Sequence, residues 1–516
     1  MYTQKLNGRF FLSDMAFLWY LALTTIIGHL LVSGNYGYFL DEFYTIACSK
    51  HLSFGFIDIP PVAPAILALN TKIFGLSLRA IHLLPALFSG LMVILVGFLA
   101  KQLGGGRLAV IFAGLAAVFV PVWMALGSLY TYDFLDQLMI VLLFGAVLLL
   151  IKTGNLKTWL LIGAIAGTGL MTKPSMVFFI LGLILAFLIT KHRQQFLTPW
   201  PWLGGAVAML IILPSLVWQF QHGFPIAEYW GSYSANKTVD ASPPQYLIMQ
   251  FIVMNFTLLP IWITGLYYFL FHPAGKKYRL FGVAYLILLA LFTVIRSNVT
   301  MLVPAYAMLL AGGAVRLELF FQQKRRKALQ FLYVALIIIF GLIQAPIMMP
   351  VLPVDSLVKY YQGAGGVVGI KSVKYAHEVF VELPNFIYNR LEWDTLVNDV
   401  AAVYYSLPKN ERLDTGILTQ NYGWAGAIDL LGAKKGLPKT TCGQLNYYLF
   451  SLGDLKQKTW IIIGEGRESL EQAFEAVTLA KLIQTKYRLP RETPIFVCRR
   501  PKFTPEQARQ AIKNFR

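Results

Sequence analysis

Apolar runs long enough to cross a lipid bilayer follow one another through the first 350 residues. A transmembrane helix needs about 20 mostly apolar residues. Backbone groups in lipid must be hydrogen-bonded within the protein, so such runs adopt helices. The sequence therefore predicts a polytopic α-helical membrane protein with about 11 transmembrane helices. We place them near residues 14–33, 80–100, 108–127, 131–151, 157–172, 174–190, 200–219, 248–271, 280–296, 299–317 and 329–349.

The composition agrees with this interpretation. The chain is 57% hydrophobic and 13% charged, whereas soluble proteins carry about 25% charged residues. Its 44 Lys and Arg against 25 Asp and Glu give a net charge of +19. In a soluble protein that excess would favour nucleic acid. Here it favours cytoplasmic loops, where basic residues accumulate, so we predict no nucleic-acid partner.

The positions of the basic residues predict an orientation. Lys5 and Arg9 precede the first apolar run, which reads as an uncleaved signal anchor with a cytoplasmic N-terminus. Alternating from there places 16 basic residues of the membrane half in inner loops and 6 outside or between runs. This asymmetry supports a multi-pass protein of the cytoplasmic (inner) membrane, embedded in the lipid bilayer.

A change in composition near residue 350 predicts two domains. Residues 1–350 form the transmembrane domain, and residues 351–516 form an extracytoplasmic (periplasmic) soluble α/β domain. Short β-branched runs combine with amphipathic helical stretches in this second part. They are TGILTQNYGWAGAIDLLG at 415–432, KTWIIIGEG at 458–466, SLEQAFEAVTLAKLIQT at 469–485 and PIFVCRR at 494–500.

The first outer loop, residues 34–79, is long and not polar. Two segments in it place apolar residues at helical spacing, DEFYTIACSKHL at 41–52 and PPVAPAILALNTKIF at 60–74. We expect both to form interfacial helices.

Acidic residues are scarce in the membrane half and gather on one side. Of the nine before residue 350, seven fall in outer loops or at the outer ends of spans. They are Asp41, Glu42, Asp58, Asp133, Asp136, Glu228 and Asp240. A carboxylate at a membrane edge is costly unless it pairs, binds a cation or does chemistry. The outer face is therefore where a site is predicted.

The adjacent pair Asp41 and Glu42 admits two interpretations. Two carboxylates at the start of a helix stabilise its dipole and cap it. Alternatively, one of them is a general base or a cation ligand, with Asp58 nearby. The sequence leaves open whether a divalent cation is needed as a cofactor; Glu42 and Asp136 are the candidate metal ligands.

Four outer residues of the later spans also admit two interpretations each. Asp133 and Asp136 share a helical face, and either they are solvated at a helix start or Asp136 faces a cavity and binds a cation. Lys173 in GLMTKPS and Arg296 in IRSNVT either extend to lipid headgroups or bind the phosphate of a lipid-linked substrate.

The three cysteines, Cys48, Cys442 and Cys498, form no CxxC pair, so a structural zinc site is not predicted. A bridge between Cys442 and Cys498 stays open if the tail is extracytoplasmic.

Several motifs in this order resemble the bacterial glycosyltransferase family 39 group of the GT-C superfamily, relatives of protein O-mannosyltransferases and of the lipid A aminoarabinose transferase. The motifs are YFLDEFYTIACSKHLSFGFIDIPP, LDQL at the fourth span, GLMTKPS, LVPAYAMLLAGGAV, and in the tail ELPNFIYNR, QNYGWAGAIDLLG and FVCRRP. The resemblance implies a membrane enzyme that transfers a sugar from a polyprenyl-phosphate donor to a lipid, glycan or protein acceptor.

The resemblance also implies roles for single residues. Asp41 matches the catalytic base, and Glu42 and Asp58 complete the acidic set of the first loop. Asp136 and Lys173 match residues near the carrier phosphate, and Arg296 and Tyr306 are added to the donor-binding set. Ile59 departs from the family, where histidine is frequent in an Asp-His-Pro-Pro sequence. That departure removes a neighbouring imidazole but no carboxylate.

A single displacement by the acceptor hydroxyl would invert the anomeric centre. The alternative function is a lipid or sugar transporter, or a flippase, without covalent chemistry. Transporters usually show repeated halves and charged residues near the bilayer midplane. In this sequence no repeat is visible, and the ionisable residues cluster at one face.

Overall fold

Apolar helices make up most of the chain. The computed structural model describes residues 13–236, 242–322, 326–364, 383–488 and 490–515. Its first seventeen α-helices, in chain order, are α1 (Asp14–Val32), α2 (Leu40–Lys50), α3 (Val62–Phe74), α4 (Leu78–Gln102), α5 (Arg107–Val118), α6 (Pro121–Leu126), α7 (Tyr132–Thr153), α8 (Thr158–Leu170), α9 (Met176–Ile189), α10 (Trp200–Gln221), α11 (Pro225–Asn236), α12 (Pro243–Val253), α13 (Leu259–Leu270), α14 (Arg279–Val294), α15 (Tyr306–Phe321), α16 (Lys327–Met348) and α17 (Val354–Ala364).

The last part of the described chain mixes helices and strands. In chain order it contains α18 (Asn385–Tyr388), α19 (Trp393–Ser406), α20 (Lys409–Arg412), β1 (Thr415–Thr419), α21 (Tyr422–Leu431), β2 (Thr440–Thr441), α22 (Tyr447–Phe450), β3 (Thr459–Ile463), α23 (Arg467–Ala473), β4 (Phe474–Gln484), β5 (Glu492–Pro501) and α24 (Pro505–Ile512).

Each predicted apolar run coincides with a helix or a broken pair of helices. In the described ranges seven helical segments are long and apolar enough to cross a membrane, and two bent pairs raise the number to nine. The runs predicted at 108–127 and 157–172 contain the shorter helices α5 and α8, of 12 and 13 residues. The predicted polytopic α-helical fold is confirmed.

One bent pair shows how the sequence breaks a span. Helices α12 and α13 lie on either side of an 88° bend. At the break Asn255 has a φ of +61°, a left-handed conformation that ends a helix. Its side chain then accepts a hydrogen bond from the Thr257 N–H at 3.0 Å, which caps the next turn.

Contact clustering divides the chain into two compact units. One contains Met1–Asn35, Arg79–Leu216 and Thr238–Glu378; the other contains Tyr36–Leu78, Val217–Lys237 and Val379–Arg516. We call them the membrane unit and the loop–tail unit. The loop–tail unit unites the first outer loop with the C-terminal tail, a grouping that a single division at residue 350 does not foresee. That division, as a boundary between membrane and solvent, stays a prediction.

The tail contains a five-stranded mixed sheet in the order β2-β1-β3-β5-β4. Strands β2, β1 and β3 pair in parallel, whereas β5 pairs antiparallel with β3 and β4. The central run TWIII of β3 is buried along its whole length. Parallel strands read as continuous apolar runs when both faces are covered. The α/β fold predicted for the tail is therefore confirmed.

Helix α2 of the first outer loop belongs to the core of the tail. Phe43 is 1% exposed and packs in one cluster with Trp393, Ile417, Trp424 and Ile428. Its ring meets the Trp393 ring edge-on at 5.0 Å between centroids. The predicted interfacial helix therefore exists, but its apolar face is covered by protein.

Helix α3 keeps the pattern of an interfacial helix. It buries Ala63 and Leu67, while Leu69, Ile73 and Phe74 are exposed. An apolar stripe of this kind suits the boundary of a membrane, so that prediction stands for α3.

The three cysteines are free thiols in the structure, and all are buried. The bridge between Cys442 and Cys498 that the sequence left open is absent. Lys5 and Arg9, which set the predicted orientation, lie outside the described residues, as does Asp240.

A partly exposed ion pair in the tail, between Glu411 and Arg499, predicts a contribution to folding stability that depends on pH. Glu411 accepts hydrogen bonds from Arg499 Nε at 2.5 Å and from the Thr459 hydroxyl at 2.9 Å. The bond from Arg499, aided by that from Thr459, lowers the pKa of Glu411 below its ordinary 4.5. A lowered folded-state pKa contributes stability above the unfolded-state value and loses it as the pH falls through the folded-state value.

We therefore expect Glu411→Gln to destabilise the tail by about 0.5–1 kcal/mol at pH 7 and to lose that effect at an acid pH below the lowered pKa of Glu411. Urea unfolding of the full chain in detergent, monitored by hydrogen exchange in β1 and β3, measures this change in the free energy of unfolding. Glu471→Gln, which breaks the exposed pair with Arg467, is the matched control. Equal destabilisation by Glu411→Gln at both pH values would contradict the assignment.

Candidate active site

Glu42 behaves as a buried capping residue of helix α2. It is 0% exposed, and its carboxylate accepts a hydrogen bond from the Phe39 N–H at 2.8 Å. The guanidinium of Arg390 lies close by. Burial lowers the pKa of Arg390, and the charge of Glu42 opposes that change. These contacts are those of the capping interpretation, with a buried cation to balance the charge.

Asp41, the other member of the pair, is half-buried and meets the tail. The Tyr422 hydroxyl donates to Asp41 Oδ1 at 2.7 Å. Burial and the adjacent Asp41 carboxylate raise the pKa of Tyr422 well above its ordinary value. The phenol therefore stays protonated and acts as a donor, which stabilises the carboxylate without neutralising it.

Asp58 is held in a similar way. It accepts hydrogen bonds from the Tyr44 hydroxyl and, at 2.9 Å, from the Asn446 side-chain amide. Burial and Asp58 raise the pKa of Tyr44 well above its ordinary value, so Tyr44 is also a protonated donor. Asn446 is fully buried and accepts from the Ile57 N–H at 2.8 Å, which fixes the amide beside Asp58.

The two tyrosines join the two aspartates into one cluster. The rings of Tyr44 and Tyr422 lie 4.6 Å apart between centroids. The negative charge of Asp58 also acts on Tyr422. We call Asp41, Asp58, Tyr44, Tyr422 and Asn446 the acidic cluster. It contains two of the three first-loop carboxylates predicted from the sequence.

Two glycines in α21 allow this close approach. A Cβ atom at Gly423 would lie 2.5 Å from Leu40 Cγ, and one at Gly426 would lie 2.5 Å from Phe43 Cβ. Both residues face α2, because positions three apart share a helical face. The glycines of QNYGWAG thus let α2 pack against the helix that begins at Tyr422.

The membrane unit contains a second polar group. Asp136 is 4% exposed, and its Oδ2 accepts a hydrogen bond from the Ser175 hydroxyl at 2.9 Å. Its Oδ1 is buried, with no hydrogen-bond partner among the described residues. An unsatisfied buried carboxylate oxygen is costly, so Asp136 is a candidate for contact with a ligand.

Lys173 forms an ion pair with Asp133 at 2.5 Å, and the two side chains are 22% and 39% exposed. Its ammonium group also lies 5.4 Å from the centre of the Tyr132 ring, and its charge acts on Asp136. The structure therefore brings Asp133, Asp136, Lys173 and Ser175 together. Lys173 is paired with protein in this state, and its predicted contact with a carrier phosphate stays a prediction.

The two other predicted donor-binding residues lie in different surroundings. Tyr306 is fully buried among the helices; it accepts a hydrogen bond from the Tyr285 hydroxyl at 2.9 Å and donates to Gln250 at 3.3 Å. Arg296 is exposed after α14, with a φ of +50°. The contacts of Tyr306 are those of a packing residue, whereas Arg296 is accessible. Their donor-binding roles stay predictions.

Sequence reasoning missed three members of the acidic cluster and Ser175. Tyr44 lies three residues after Asp41, a spacing that puts both on one helical face and offered a signal. Tyr422 and Ser175 lie in segments already selected as motifs, QNYGWAGAIDLLG and GLMTKPS, but received no role. Asn446 carries no local signal, since only the tertiary fold brings it to Asp58.

A metal site does not emerge from the candidates. Among the described residues no group of three or more His, Cys, Asp and Glu is arranged to hold a metal ion. The proposed ligands Glu42 and Asp136 have the hydrogen bonds given above, and a divalent cation stays an open question.

Comparison with known proteins adds a family and a fold. Residues 58–218 match the family model described as dolichyl-phosphate-mannose-protein mannosyltransferase. Crystal structures of ArnT from Cupriavidus metallidurans, one in the apo state and one bound to undecaprenyl phosphate, each match with a TM-score of 0.60. In both cases the identity is 12%, over 93% of this chain and 97% of the other. No curated protein matches in sequence.

The chain has the fold of these ArnT structures. The resemblance to the family 39 group, drawn from the motifs, is confirmed by the family model and the structural match. Together they indicate a glycosyltransferase in a multi-pass membrane protein.

The hydrogen bond from Tyr422 to Asp41 predicts a positioning role. Tyr422→Phe removes the hydroxyl and leaves the ring, so we expect a folded protein with glycosyl transfer reduced about tenfold, as for loss of one charge-assisted hydrogen bond. The acidic limb of the pH–rate profile should move to higher pH, because a carboxylate that loses a donor holds its proton more tightly. Steady-state rates from pH 4 to 9 measure both.

Tyr404→Phe is the matched control, because the Tyr404 hydroxyl donates to the Arg412 carbonyl within the tail. A Tyr422→Phe profile that falls at every pH without moving would show that the hydroxyl supports the fold and not Asp41.

Proposed function

We propose that this protein transfers a sugar from a polyprenyl-phosphate carrier to a hydroxyl group of a lipid, glycan or protein acceptor at the outer face of the inner membrane. The observation that carries the proposal is the acidic cluster, in which two carboxylates are stabilised by neutral donors. The ArnT relative bound to undecaprenyl phosphate supports a carrier of this type. The family model, named for transfer from dolichyl-phosphate-mannose, supports the same class of donor.

Asp41 is the proposed general base. The acceptor oxygen attacks the anomeric carbon, the bond from that carbon to the phosphate oxygen breaks, and its electron pair leaves with the phosphate. The acceptor proton passes to Asp41. One displacement of this kind inverts the anomeric centre. Phosphate is a good leaving group, so the reaction needs a base and charge stabilisation but no general acid.

The choice of Asp41 over Glu42 follows from their contacts. Glu42 is fully buried, caps a helix and lies beside Arg390. Asp41 is half-buried and takes a bond from a neutral phenol. A base must reach the acceptor and keep its affinity for a proton. Asp58 is the proposed companion that orients Tyr44 and Asn446 around the same site.

Asp41→Asn keeps size and removes the base. We expect transfer to fall by a factor of about 10²–10⁴, with binding of the donor lipid retained. Single-turnover transfer from a radiolabelled polyprenyl-phosphate sugar, in detergent or proteoliposomes, measures the loss. The control is Asp394→Asn, an exposed carboxylate in the first turn of α19, which should leave the rate unchanged. Full activity of Asp41→Asn would contradict the assignment of Asp41 as the general base.

Lys173 is the proposed cation for the carrier phosphate. Its pair with Asp133 is partly exposed, and such pairs contribute little energy, so a phosphate of higher charge can take the place of Asp133. The unpartnered oxygen of Asp136 and the Ser175 hydroxyl lie beside it. They are proposed to accept hydrogen bonds from hydroxyl groups of the donor sugar, because an ionised Asp136 would repel the phosphate itself.

We expect Lys173→Met to raise the KM for the donor about tenfold with a smaller change in kcat, since a lost ion contact with phosphate is worth about 1.4 kcal/mol or more. Lys72→Met, at an exposed lysine near the end of α3, is the control. An unchanged donor KM would contradict the assignment. Movement of donor lipid across vesicles without a covalent product would favour the flippase alternative.

A further inference from the structure

A polar cavity lies in the loop–tail unit, apart from the contacts of the acidic cluster itself. Its volume is about 460 Å³, within the range of small-molecule sites. The lining comes from four stretches far apart in sequence: helix α11, the end of strand β1, the end of strand β3 and the C-terminal segment. Its polar members are Glu228, Ser232, Gln420, Glu465, Lys513 and Asn514.

The C-terminal wall of the cavity is fixed in place. The Asn514 N–H donates to the Gly443 carbonyl at 3.0 Å, and the Leu445 N–H donates to the Asn514 carbonyl at 2.8 Å. These bonds tie the wall to the segment that leads directly into Asn446 of the acidic cluster. A preformed wall of this kind favours a binding site, because ligand pockets are usually largely preformed.

Two side chains in the cavity offer hydrogen-bond acceptors to a ligand. The Gln420 side-chain oxygen is buried and has no hydrogen-bond partner among the described residues. Burial raises the pKa of the Glu465 carboxyl. The Gln420 oxygen is an acceptor removed from water without a donor among the described residues, which is costly, and the half-buried Glu465 side chain is a second acceptor in the lining. A ligand rich in hydroxyl groups would satisfy them.

The charge of the lining limits the class of ligand. Glu228 pairs with Lys513 at 2.8 Å, so these two charges balance and the carboxylate of Glu465 remains. Two carboxylates and one ammonium group give a net formal charge of −1. A phosphate or carboxylate ligand would meet repulsion here, whereas an uncharged sugar would not.

The cavity adjoins the acidic cluster through two chain neighbours. Gln420 lies two residues before Tyr422, which donates to Asp41. Glu228 directly precedes Tyr229, which lies near enough to Tyr422 to raise the pKa of its phenol. The cavity is therefore lined by close chain neighbours of residues that hold or adjoin the proposed base.

We propose that this cavity is the acceptor subsite and that it binds a sugar unit without phosphate or carboxylate groups, with Gln420 and Glu465 accepting hydrogen bonds from its hydroxyls. The inference rests on the proposed glycosyl transfer for its meaning as an acceptor site. Specificity then comes mainly from the tail, since four of the six polar lining residues belong to it: Gln420, Glu465, Lys513 and Asn514.

Binding of simple sugars to the full chain in detergent tests the site directly. The probes are methyl glucoside, which is neutral, and glucose 6-phosphate, which is negatively charged. Saturation-transfer NMR monitors the binding of each. We expect methyl glucoside to bind and glucose 6-phosphate to bind at least about tenfold more weakly. Gln420→Ala and Glu465→Gln should each weaken methyl glucoside about tenfold. Glu468→Gln, an exposed carboxylate on α23, should change nothing.

Kinetics separates this inference from the proposed function. If transfer is found, Glu465→Gln should raise the acceptor KM about tenfold and leave kcat within about twofold. Transfer with an unchanged acceptor KM, or equal binding of both probes, would overturn the subsite while the proposed function stands. Loss of methyl glucoside binding in the two variants, in a protein that transfers no sugar, would support the sugar site and overturn the proposed function. Hydrogen exchange in β1 checks that both variants fold.

Discussion

Burial of Phe43 in the core of the tail is the contact on which the site depends. Phe43 lies two residues after Asp41, in the first turns of the same helix. Full burial of a phenylalanine side chain contributes about 1.5–3 kcal/mol, and the edge-on contact with Trp393 adds to it. Because a helix turn is rigid, the apolar contact that anchors Phe43 also fixes where Asp41 points. Gly426 makes the contact possible, since any side chain there would collide with Phe43.

The carboxylates of the first loop are stabilised in two different ways, and the difference bears on chemistry. Glu42 has a buried arginine beside it, and the positive charge of that arginine stabilises the carboxylate. Asp41 and Asp58 receive phenol and amide donors instead. A neutral donor stabilises a carboxylate less than a cation does, and it leaves more affinity for a proton. Adjacent residues in the sequence therefore acquire the roles of a structural charge and a candidate base from the tertiary contacts alone.

The membrane-spanning helices of the membrane half and the class of the protein could be predicted from the sequence. Long apolar runs predicted the positions of the membrane-spanning helices, because helices in lipid leave few alternatives. The glycines and aromatic residues of QNYGWAG were visible as a motif, and the carboxylates were found from their scarcity. The partners of those carboxylates were not foreseeable. Asn446 lies 388 residues after Asp58, and no local periodicity connects positions so distant.

The same limit explains the interpretation of α2. Its apolar spacing predicts an amphipathic helix, and the helix exists, but spacing alone does not say whether lipid or protein covers the apolar face. In α2, Phe43 packs in the core of the tail, so protein covers the apolar face. In α3, Leu69 and Ile73 are exposed, so the apolar face of that helix suits contact with lipid. Two neighbouring segments with one sequence pattern thus have different environments.

The tail consequently takes part in the candidate site and is more than an appendage. It supplies the Tyr422 and Asn446 donors to the two aspartates. Without them both carboxylates would lose hydrogen bonds in a partly buried setting, at a cost of about 1–3 kcal/mol each. The first loop would then have neither the core that buries Phe43 nor the donors that hold Asp41. Because the same unit forms the polar cavity, the part of the chain that stabilises the base also surrounds the place where an acceptor would bind.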